Sequence, residues 1–315
     1  MGFKCGIVGL PNVGKSTLFN ALTKTAAAQA ANYPFCTIEP NTGEVAVPDP
    51  RMQQLATIAG SKEIIPTRIS FVDIAGLVRG ASKGEGLGNK FLANIREVDA
   101  VVHVLRCFED DDITHVEGRI NPVGDAETIE TELMLADLES LERRVEQTRK
   151  RAKTNDKESV AQLPVMEAVI KLLNEGKPAR ILLKTLAADD IEILKDLNLL
   201  TSHPVLYVCN VAESDAVDGN EHTKAVAAMA KEQGAECVII SAAIESEVAQ
   251  LPEDEAKEFL SALGLEEAGL DRLIRAGYNL LHLITYFTVG PKETRAWTIV
   301  RGTKAPAAAG VIHTD

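Results

Sequence analysis

Short apolar runs, close to continuous, alternate with helical stretches along most of the chain. Six of them have the length of strands: Phe3–Val8, Val45–Val47, Ile69–Ile74, Val101–Leu105, Val205–Cys209 and Val238–Ile240. Because these runs lack regular polar alternation, they are typical of strands that are covered on both faces of a sheet. Helical stretches lie between several of them, so the sequence predicts an α/β fold that is doubly wound around a mostly parallel sheet.

Two longer helical segments in the middle of the chain show a narrow seam of residues spaced by three and four. The first seam consists of Met134, Leu138, Leu141, Val145 and Thr148, and the second of Leu163, Met166, Ile170 and Leu173. A polar link, Lys153–Lys157, joins the two segments. We therefore predict an antiparallel two-helix arm, part of an insertion into the α/β fold over about residues 128–203.

The last part of the chain changes character again. Ala268–His282 has the pattern of a helix, and Tyr286–Thr288 and Ala296–Val300 have the pattern of strands in a small β-rich unit. About thirty residues bury too little surface to fold alone. We therefore expect residues 285–315 to form an incomplete domain.

Composition narrows the range of partners. The chain has 315 residues and a net charge of −13, so a surface-wide basic footprint for nucleic acid is absent and we predict no specific DNA binding. Five scattered cysteines without a Cys-x-x-Cys pair are typical of a reducing cytosol. No apolar run is long enough to span a membrane. We therefore expect a cytoplasmic location and no membrane partner.

One stretch of the helical arm departs from this acidic average. Residues 143–153 include six cations and one carboxylate, Glu146, which gives this stretch a net charge of +5. The cations are Arg143, Arg144, Arg149, Lys150, Arg151 and Lys153. A solvated helix surface is one interpretation. The other is an RNA or ribosome contact, because the release of counterions favours phosphate binding by a concentrated basic patch.

The segment Gly9–Thr17 is the first candidate site, because it fits the phosphate-loop pattern G-x-x-x-x-G-K-[ST] at every fixed position. Its glycines let backbone N–H groups converge into an anion nest, and the helix that follows adds partial positive charge. Lys15 is expected to reach the β- and γ-phosphates, and Ser16 to offer its hydroxyl to Mg²⁺. The strand before the loop and the helix after it argue against a chance match.

Two further motifs follow at the spacing of a nucleotide switch. Thr37, in the loop Asn32–Pro40, is the candidate that binds Mg²⁺ and the γ-phosphate and releases them after hydrolysis. By itself it would be an ordinary loop threonine. In Phe71–Gly76, Asp73 ends a strand and can orient Mg²⁺ through water, and Gly76 can donate its N–H to the γ-phosphate.

The position that often aligns the attacking water holds Leu77, which cannot align one. His115 lies beyond a strand whose carboxyl end should face the nucleotide, so it is our candidate for that role, although a lone histidine is usually structural. We interpret the acidic run Phe108–Asp112 as a solvated loop, with a metal site as the alternative. The glycines of Gly80–Gly88 widen the accessible backbone states, which suits a second switch or a plain flexible turn.

The base-recognition segment departs from the guanine pattern N-K-x-D. Asn210 is retained, but Val211 replaces the lysine and Glu213 stands in the aspartate position. A site built to hydrogen-bond one group rejects its analogues strongly, so this change predicts an altered choice of base. Ser241 is the candidate from the last base-flanking loop, although Ser241–Ala243 is also compatible with a simple turn of small residues.

Together these motifs resemble those of the YchF / Obg-like ATPase family of translation-factor-class NTPases, over essentially the whole chain. The residues that carry the resemblance are Gly9–Thr17, Tyr33–Pro40, Asp73–Gly76, Gly84–Asn89, Asn210–Glu213 and Arg295–Thr298. The resemblance implies a Ras-like G domain over residues 1–284, which contains the helical insertion. It also implies a C-terminal TGS domain of the β-grasp type, of which residues 285–315 would be a part, because the family's domain runs well past Asp315.

The resemblance further implies Mg²⁺-dependent hydrolysis with ATP preferred over GTP, and association with ribosomes. It assigns the adenine contact to Val211, Mg²⁺ to Ser16 and Thr37, and phosphate contacts to Asn12, Val13, Gly14, Lys15, Ser16 and Thr17. The family's hydrophobic replacement of the catalytic glutamine matches Leu77, and its catalysis-linked histidine matches His115. Asn12 also matches asparagines that coordinate an activating K⁺ in related NTPases.

Three functions are compatible with the sequence. The first is an ATPase that acts as a nucleotide switch on ribosomes, in translation and stress response, with Lys15, Asp73, Gly76 and His115 as catalytic residues. The second is a GTPase of the Obg class in which Glu213 substitutes for aspartate. The third is a non-catalytic scaffold whose partner binding is gated by nucleotide. A P-loop kinase fits less well, since the switch motifs serve to sense the γ-phosphate.

Overall fold

The computed structural model describes residues 3–31, 41–74, 87–110 and 119–313. The strands in these ranges are β1 Lys4–Val8, β2 Thr42–Ala46, β3 Glu63–Ile65, β4 Arg68–Asp73, β5 Ala100–Arg106, β6 Val205–Asn210, β7 Glu236–Ile240, β8 Leu283–Val289 and β9 Glu293–Val300. The α-helices are α1 Lys15–Ala31, α2 Arg51–Ala59, α3 Leu87–Arg96, α4 Pro122–Ala152, α5 Lys157–Asn174, α6 Ala188–Asp196, α7 Glu221–Gln233, α8 Ala242–Val248, α9 Glu253–Ala262, α10 Gly269–Leu280 and α11 Ala305–Ile312.

The main sheet contains the six strands that the apolar runs predict. Within the described ranges its strand order is β2-β4-β1-β5-β6-β7, and every pair is parallel except β2 with β4. All residues of β5 and β6 are buried, as the absence of polar alternation indicates for strands covered on both faces. The predicted α/β fold with a mostly parallel sheet is therefore confirmed.

The helical insertion has its own apolar core. Both predicted seams contribute to it, because Leu141 and Val145 of α4 are buried together with Met166 and Leu173 of α5. The structure adds a third helix that the two-helix prediction lacks, since Leu194 of α6 is buried in the same core. Only nine residues form α6, which is too short for its apolar spacing to stand out in the sequence.

The C-terminal hairpin is part of a second, three-stranded sheet with the order β3-β9-β8. The predicted strands exist as β8 and β9, but β9 also pairs in parallel with β3, which belongs to the first quarter of the chain. Ser61, just before β3, strengthens this link through hydrogen bonds of its Oγ with Gly290 O at 2.7 Å and Thr294 Oγ1 at 2.8 Å. The division into residues 1–284 and 285–315 stays a prediction.

A buried ion pair within the insertion is hydrogen-bonded onward to the main sheet. Arg180, in a 3₁₀ turn of the insertion, donates two hydrogen bonds of 2.8 Å to the Glu130 carboxylate. It also donates to Gln233 Oε1, which accepts a further bond from the Tyr207 hydroxyl of β6.

The ring of His103 lies 5.7 Å from that of Tyr207, and burial, aided by the charge of Arg180, lowers the pKa of His103 to about 3. The imidazole is therefore neutral at physiological pH.

No α-helix within the described ranges has both the length and the apolar character that crossing a bilayer requires.

The ion pair predicts an asymmetric response to mutation. Glu130→Gln leaves the Arg180 guanidinium buried without a carboxylate, and such a change costs about 3–5 kcal/mol of unfolding free energy. Urea denaturation followed by circular dichroism measures the loss. The matched control is Glu253→Gln, whose Lys257 partner is 67% exposed, and we expect no measurable shift there. Equal midpoint shifts for the two variants would contradict the assigned role of the buried pair.

Candidate functional site

The loop between β1 and α1 is shaped by two glycines. Gly14 has φ of +89°, a conformation that favours glycine, and an added Cβ would lie 2.1 Å from Asn210 Nδ2. At Gly9 an added Cβ would lie 2.8 Å from the carbonyl oxygen of Val104 in β5. Helix α1 begins at Lys15, directly after Gly14. The loop therefore leads into a helix N-terminus, where free backbone N–H groups attract anions.

A cavity of about 890 Å³ lies at this loop, where β5, β6 and β7 end. Ligands of open α/β sheets bind at this edge, outside the carboxyl ends of the strands. The structure brings most of the predicted binding residues together in its lining: Asn12, Gly14, Lys15, Ser16, Thr17, Asn210, Val211 and Ser241. Val13 is the exception, because its side chain is 1% exposed and packs into the core beneath the loop.

The two catalytic candidates in the described residues contact each other. Lys15 Nζ forms a salt bridge with Asp73 Oδ1 at the end of β4, next to β1 in the sheet. Both side chains are only partly exposed, at 12% and 22%. The structure therefore places a cation and a carboxylate side by side at the phosphate loop.

Asn210 ties the phosphate loop to the loop after β7. Its Nδ2 donates to Val13 O and its Oδ1 accepts from Ala242 N, both at 2.9 Å. The side chain is buried, so each of these bonds is expensive to leave unmade. Asn210 is a predicted nucleotide-binding residue, and in the structure its side-chain amide holds the two loops in register.

The wall beside Asn210 is apolar with one unpaired hydroxyl. Val211 is 3% exposed, and its N–H donates to Ile240 O at 2.9 Å. Ser241 Oγ is buried and has no hydrogen-bond partner within the part of the chain that the structure describes. Because buried polar atoms are nearly always paired, this hydroxyl is available to a ligand in the cavity. Glu213, by contrast, is exposed and begins a 3₁₀ turn at the cavity rim.

A buried arginine that the sequence interpretation missed positions the acidic loop. Arg106 ends β5 with 2% exposure, and its guanidinium donates to Phe108 O at 3.2 Å and to Asp110 O at 3.1 Å. Glu109 and Asp110 consequently line the cavity. Within the described ranges no three His, Cys, Asp or Glu side chains are placed to hold a metal ion. The signal for Arg106 is its position, a cation that ends an otherwise apolar strand.

Three cysteines that look scattered in the sequence meet behind Asn210. Cys209 lies on β6, Cys107 directly follows the neighbouring strand β5, and Cys237 lies on the neighbouring strand β7. Interaction with the Cys107 thiol, together with burial, raises the pKa of the Cys209 thiol. The thiol therefore stays protonated, and this cluster packs the sheet rather than supplying a nucleophile.

Four predicted functional residues lie outside the described ranges: Thr37, Gly76, Leu77 and His115. The same holds for most of the glycine-rich run Gly80–Gly88. Their roles stay predictions from the sequence.

The parallel sheet, the phosphate loop and the cavity at the strand ends define a P-loop NTPase of the GTPase fold. A family model described as "50S ribosome-binding GTPase" matches residues 4–137. A second, YchF-GTPase_C, described as "Protein of unknown function (DUF933)", matches residues 283–315. The chain belongs to the YchF family, as the relatives below show, and the resemblance seen in the sequence is thereby confirmed.

The relatives include proteins named "Ribosome-binding ATPase YchF" from several bacteria. Identity is 58% with that of Pasteurella multocida (strain Pm70) and 55% with that of Escherichia coli O157:H7, over 100% of this chain and 86% of each relative. It is 51% with that of Bacillus subtilis (strain 168), with the same coverage. A solved structure, that of the Schizosaccharomyces pombe YchF GTPase, is 41% identical with a TM-score of 0.88, covering 100% of this chain and 85% of that one.

The two hydrogen bonds of Asn210 predict that truncating this side chain strongly weakens nucleotide binding. Asn210→Ala leaves Val13 O and Ala242 N without their partner, which costs about 1–3 kcal/mol of stability for each buried group. Because the two loops then lose their fixed spacing before the ligand binds, we expect nucleotide affinity to fall about tenfold or more. Calorimetric titration with ATP measures it. Asn174→Ala, a surface asparagine on α5 that bonds only to Ile170 O within the described residues, is the matched control. Unchanged affinity in Asn210→Ala would contradict the role assigned to this side chain.

Proposed function

We propose that this chain is a ribosome-associated ATPase that acts as a nucleotide switch and uses Mg²⁺. The observation that carries the proposal is a phosphate-loop cavity whose wall holds Val211 where guanine-specific sites hold a lysine. Relatives with 51–58% identity over the whole chain are named as ribosome-binding ATPases, which supports the same activity here. A cytoplasmic location accords with this partner, and the role in stress response rests on the family resemblance alone.

The phosphate end of the cavity has the groups that triphosphate binding requires. Lys15, Ser16 and Thr17 lie in the first turn of α1, where their side chains join the backbone N–H groups. The hydroxyl of Ser16 and the carboxylate of Asp73 are hard oxygen donors of the kind that Mg²⁺ prefers, so the residues present fit this metal. Mg²⁺ would neutralise charge on the β- and γ-phosphates.

Lys15 has a defined task in this proposal. Its ammonium group contacts Asp73, and a bound triphosphate offers it a second anionic acceptor in the same cavity. The exchange of one acceptor for the other would free the Asp73 carboxylate to orient the water shell of the metal. Thr37 and the Gly76 N–H complete the γ-phosphate contacts, on the evidence of their sequence motifs.

The base end of the cavity favours adenine. Val211 forms an apolar wall without a charged stem, and the unpaired Ser241 Oγ supplies one hydrogen-bonding group. The carboxylate of Glu213 stays at the exposed rim. A GTPase is the second candidate, because Glu213 lines the same cavity and a carboxylate there could accept from guanine. A non-catalytic scaffold would show partner capture without phosphate release.

Ribosome association is proposed to use the basic part of α4, but over a narrower surface than the sequence indicates. Arg149 is paired with Glu146 at 2.7 Å and with Glu167 of α5 at 2.9 Å, so much of its charge is compensated. Lys150, Arg151 and Lys153 are exposed. These three cations are therefore the better candidates for contact with phosphate groups.

Nucleotide choice tests the base site directly. The parent chain is expected to bind ATP more tightly than GTP in competition titrations. Restoring the guanine pattern with the double variant Val211→Lys and Glu213→Asp should shift the ratio of affinities towards GTP by about tenfold or more. Val211→Ile, which keeps an apolar wall, is the control and should leave the ratio unchanged. Tighter binding of GTP by the parent chain would overturn the assignment to ATP.

The water-aligning group and the second cation are tested together. His115→Ala is expected to lower ATP turnover by about a hundredfold, the scale of a lost acid, base or water-orienting group. Asn12→Ala should abolish any stimulation by K⁺ over Na⁺, because a loop asparagine is the proposed K⁺ ligand. Phosphate release in both salts is the measurement, and His222→Ala on α7 is the control. Turnover that is unchanged in both variants would exclude both residues from catalysis.

A further inference from the structure

We propose that a second cavity, lined in part by three arginines and located between α3 and the helical insertion, binds the phosphate groups of RNA. We name it the arginine cavity, after Arg96, Arg143 and Arg144. The choice of RNA as the partner rests on the proposed ribosome association. The site itself rests on the geometry that follows.

The arginine cavity has a volume of about 420 Å³ and shares no lining residue with the nucleotide cavity. Arg96 ends α3, Arg143 and Arg144 belong to α4, and Asp196–Leu199 closes the cavity where α6 ends. Its described lining is mainly polar and contains no aromatic side chain. A cavity of this kind suits a hydrated anion and offers no ring for stacking with a base.

The arginines have hydrogen-bonding capacity to spare. Arg96 makes no side-chain hydrogen bond or ion pair with any residue that the structure describes. Arg144 donates from Nη1 to Leu197 O at 2.8 Å, which leaves its other N–H groups for a ligand. The pair Arg143–Glu139 spans 3.3 Å between side chains that are 74% and 63% exposed, and such pairs contribute little. Guanidinium groups match phosphate oxygens with two parallel hydrogen bonds.

The charge of the cavity lining also favours the binding of an anion. Its lining has three arginines against two carboxylates, Glu139 and Asp196, in a chain whose net charge is −13. A local excess of positive charge is therefore set against an acidic surface. The cavity is therefore one of the places where this acidic chain attracts anions.

The basic residues continue from the cavity along one face of α4. Lys150 and Arg151 lie seven residues beyond Arg143 and Arg144, which is two turns or about 10 Å further along the same face. Neither forms an ion pair within the described residues. A single phosphate would occupy the cavity alone, whereas a nucleic-acid strand carries one phosphate on every nucleotide and could follow the whole row. The row therefore favours a strand of RNA over a free anion.

The test uses the full chain and a short single-stranded RNA with a fluorescent label. Anisotropy titrations over a series of KCl concentrations give affinity and salt dependence. Arg96→Gln is expected to weaken binding about three- to tenfold and to reduce the slope of log K against log salt by about 0.7, the value for one lost phosphate contact on a single strand. Arg96→Lys, which keeps the charge, should restore the slope. Arg301→Gln, an exposed arginine outside the cavity, is the matched control and should behave as the parent chain.

Because Arg96 has no bonding partner within the described residues, Arg96→Gln should fold normally, and unchanged ATP titration verifies this. Equal RNA affinity of Arg96→Gln and the parent chain would overturn the proposal. So would displacement of RNA by inorganic phosphate beyond that by chloride at the same ionic strength, since the cavity would then be a small-anion site.

Ribosome cosedimentation, run in parallel, separates this inference from the proposed function. If the parent chain pellets with ribosomes while Arg96→Gln binds RNA as the parent does, ribosome association stands and the RNA site falls. If the parent fails to pellet but Arg96→Gln loses RNA affinity with the smaller slope, the RNA site stands and the proposed ribosome association falls.

Discussion

The paired hydrogen bonds of Asn210 are the constraint on which the nucleotide site depends. One amide side chain holds Val13 of the phosphate loop and Ala242 of the base loop, two segments that no strand pairing connects directly. The same contact leaves no room for a Cβ at Gly14, whose positive φ sets the curve of the loop. The sheet brings the loops near each other, and Asn210 converts that proximity into a fixed distance between phosphate and base contacts.

Four cations of this acidic chain fall into two groups with different tasks. Arg106 and Arg180 are buried and bound to protein groups, the first to carbonyl oxygens of a loop at the cavity and the second to Glu130 within the insertion. Lys15 has an anionic partner that a phosphate can replace, and Arg96 forms no ion pair within the described residues. Cations with exchangeable or missing partners thus mark the places where phosphate groups are expected.

Much of the fold could be predicted because its signals are local. Continuous apolar runs such as Val101–Leu105 report burial on both faces, and Gly9–Thr17 fixes a loop by backbone chemistry that few other sequences allow. Strand β3 and the role of Arg106 could not be predicted in this way. Strand β3 has only three residues, too few to show a period. The role of Arg106 depends on carbonyl groups that only the folded loop brings to it.

The pairing of β3 with β9 has a consequence for the order in which the chain folds during synthesis. Ser61 and Gly290, which hydrogen-bond across this junction, are 229 residues apart. Contacts of such long range form late, because the entropy of closing the intervening loop must be offset first. Until β9 has left the ribosome, β3 has no strand to pair with, so this sheet assembles only after residues 293–300 have been synthesised.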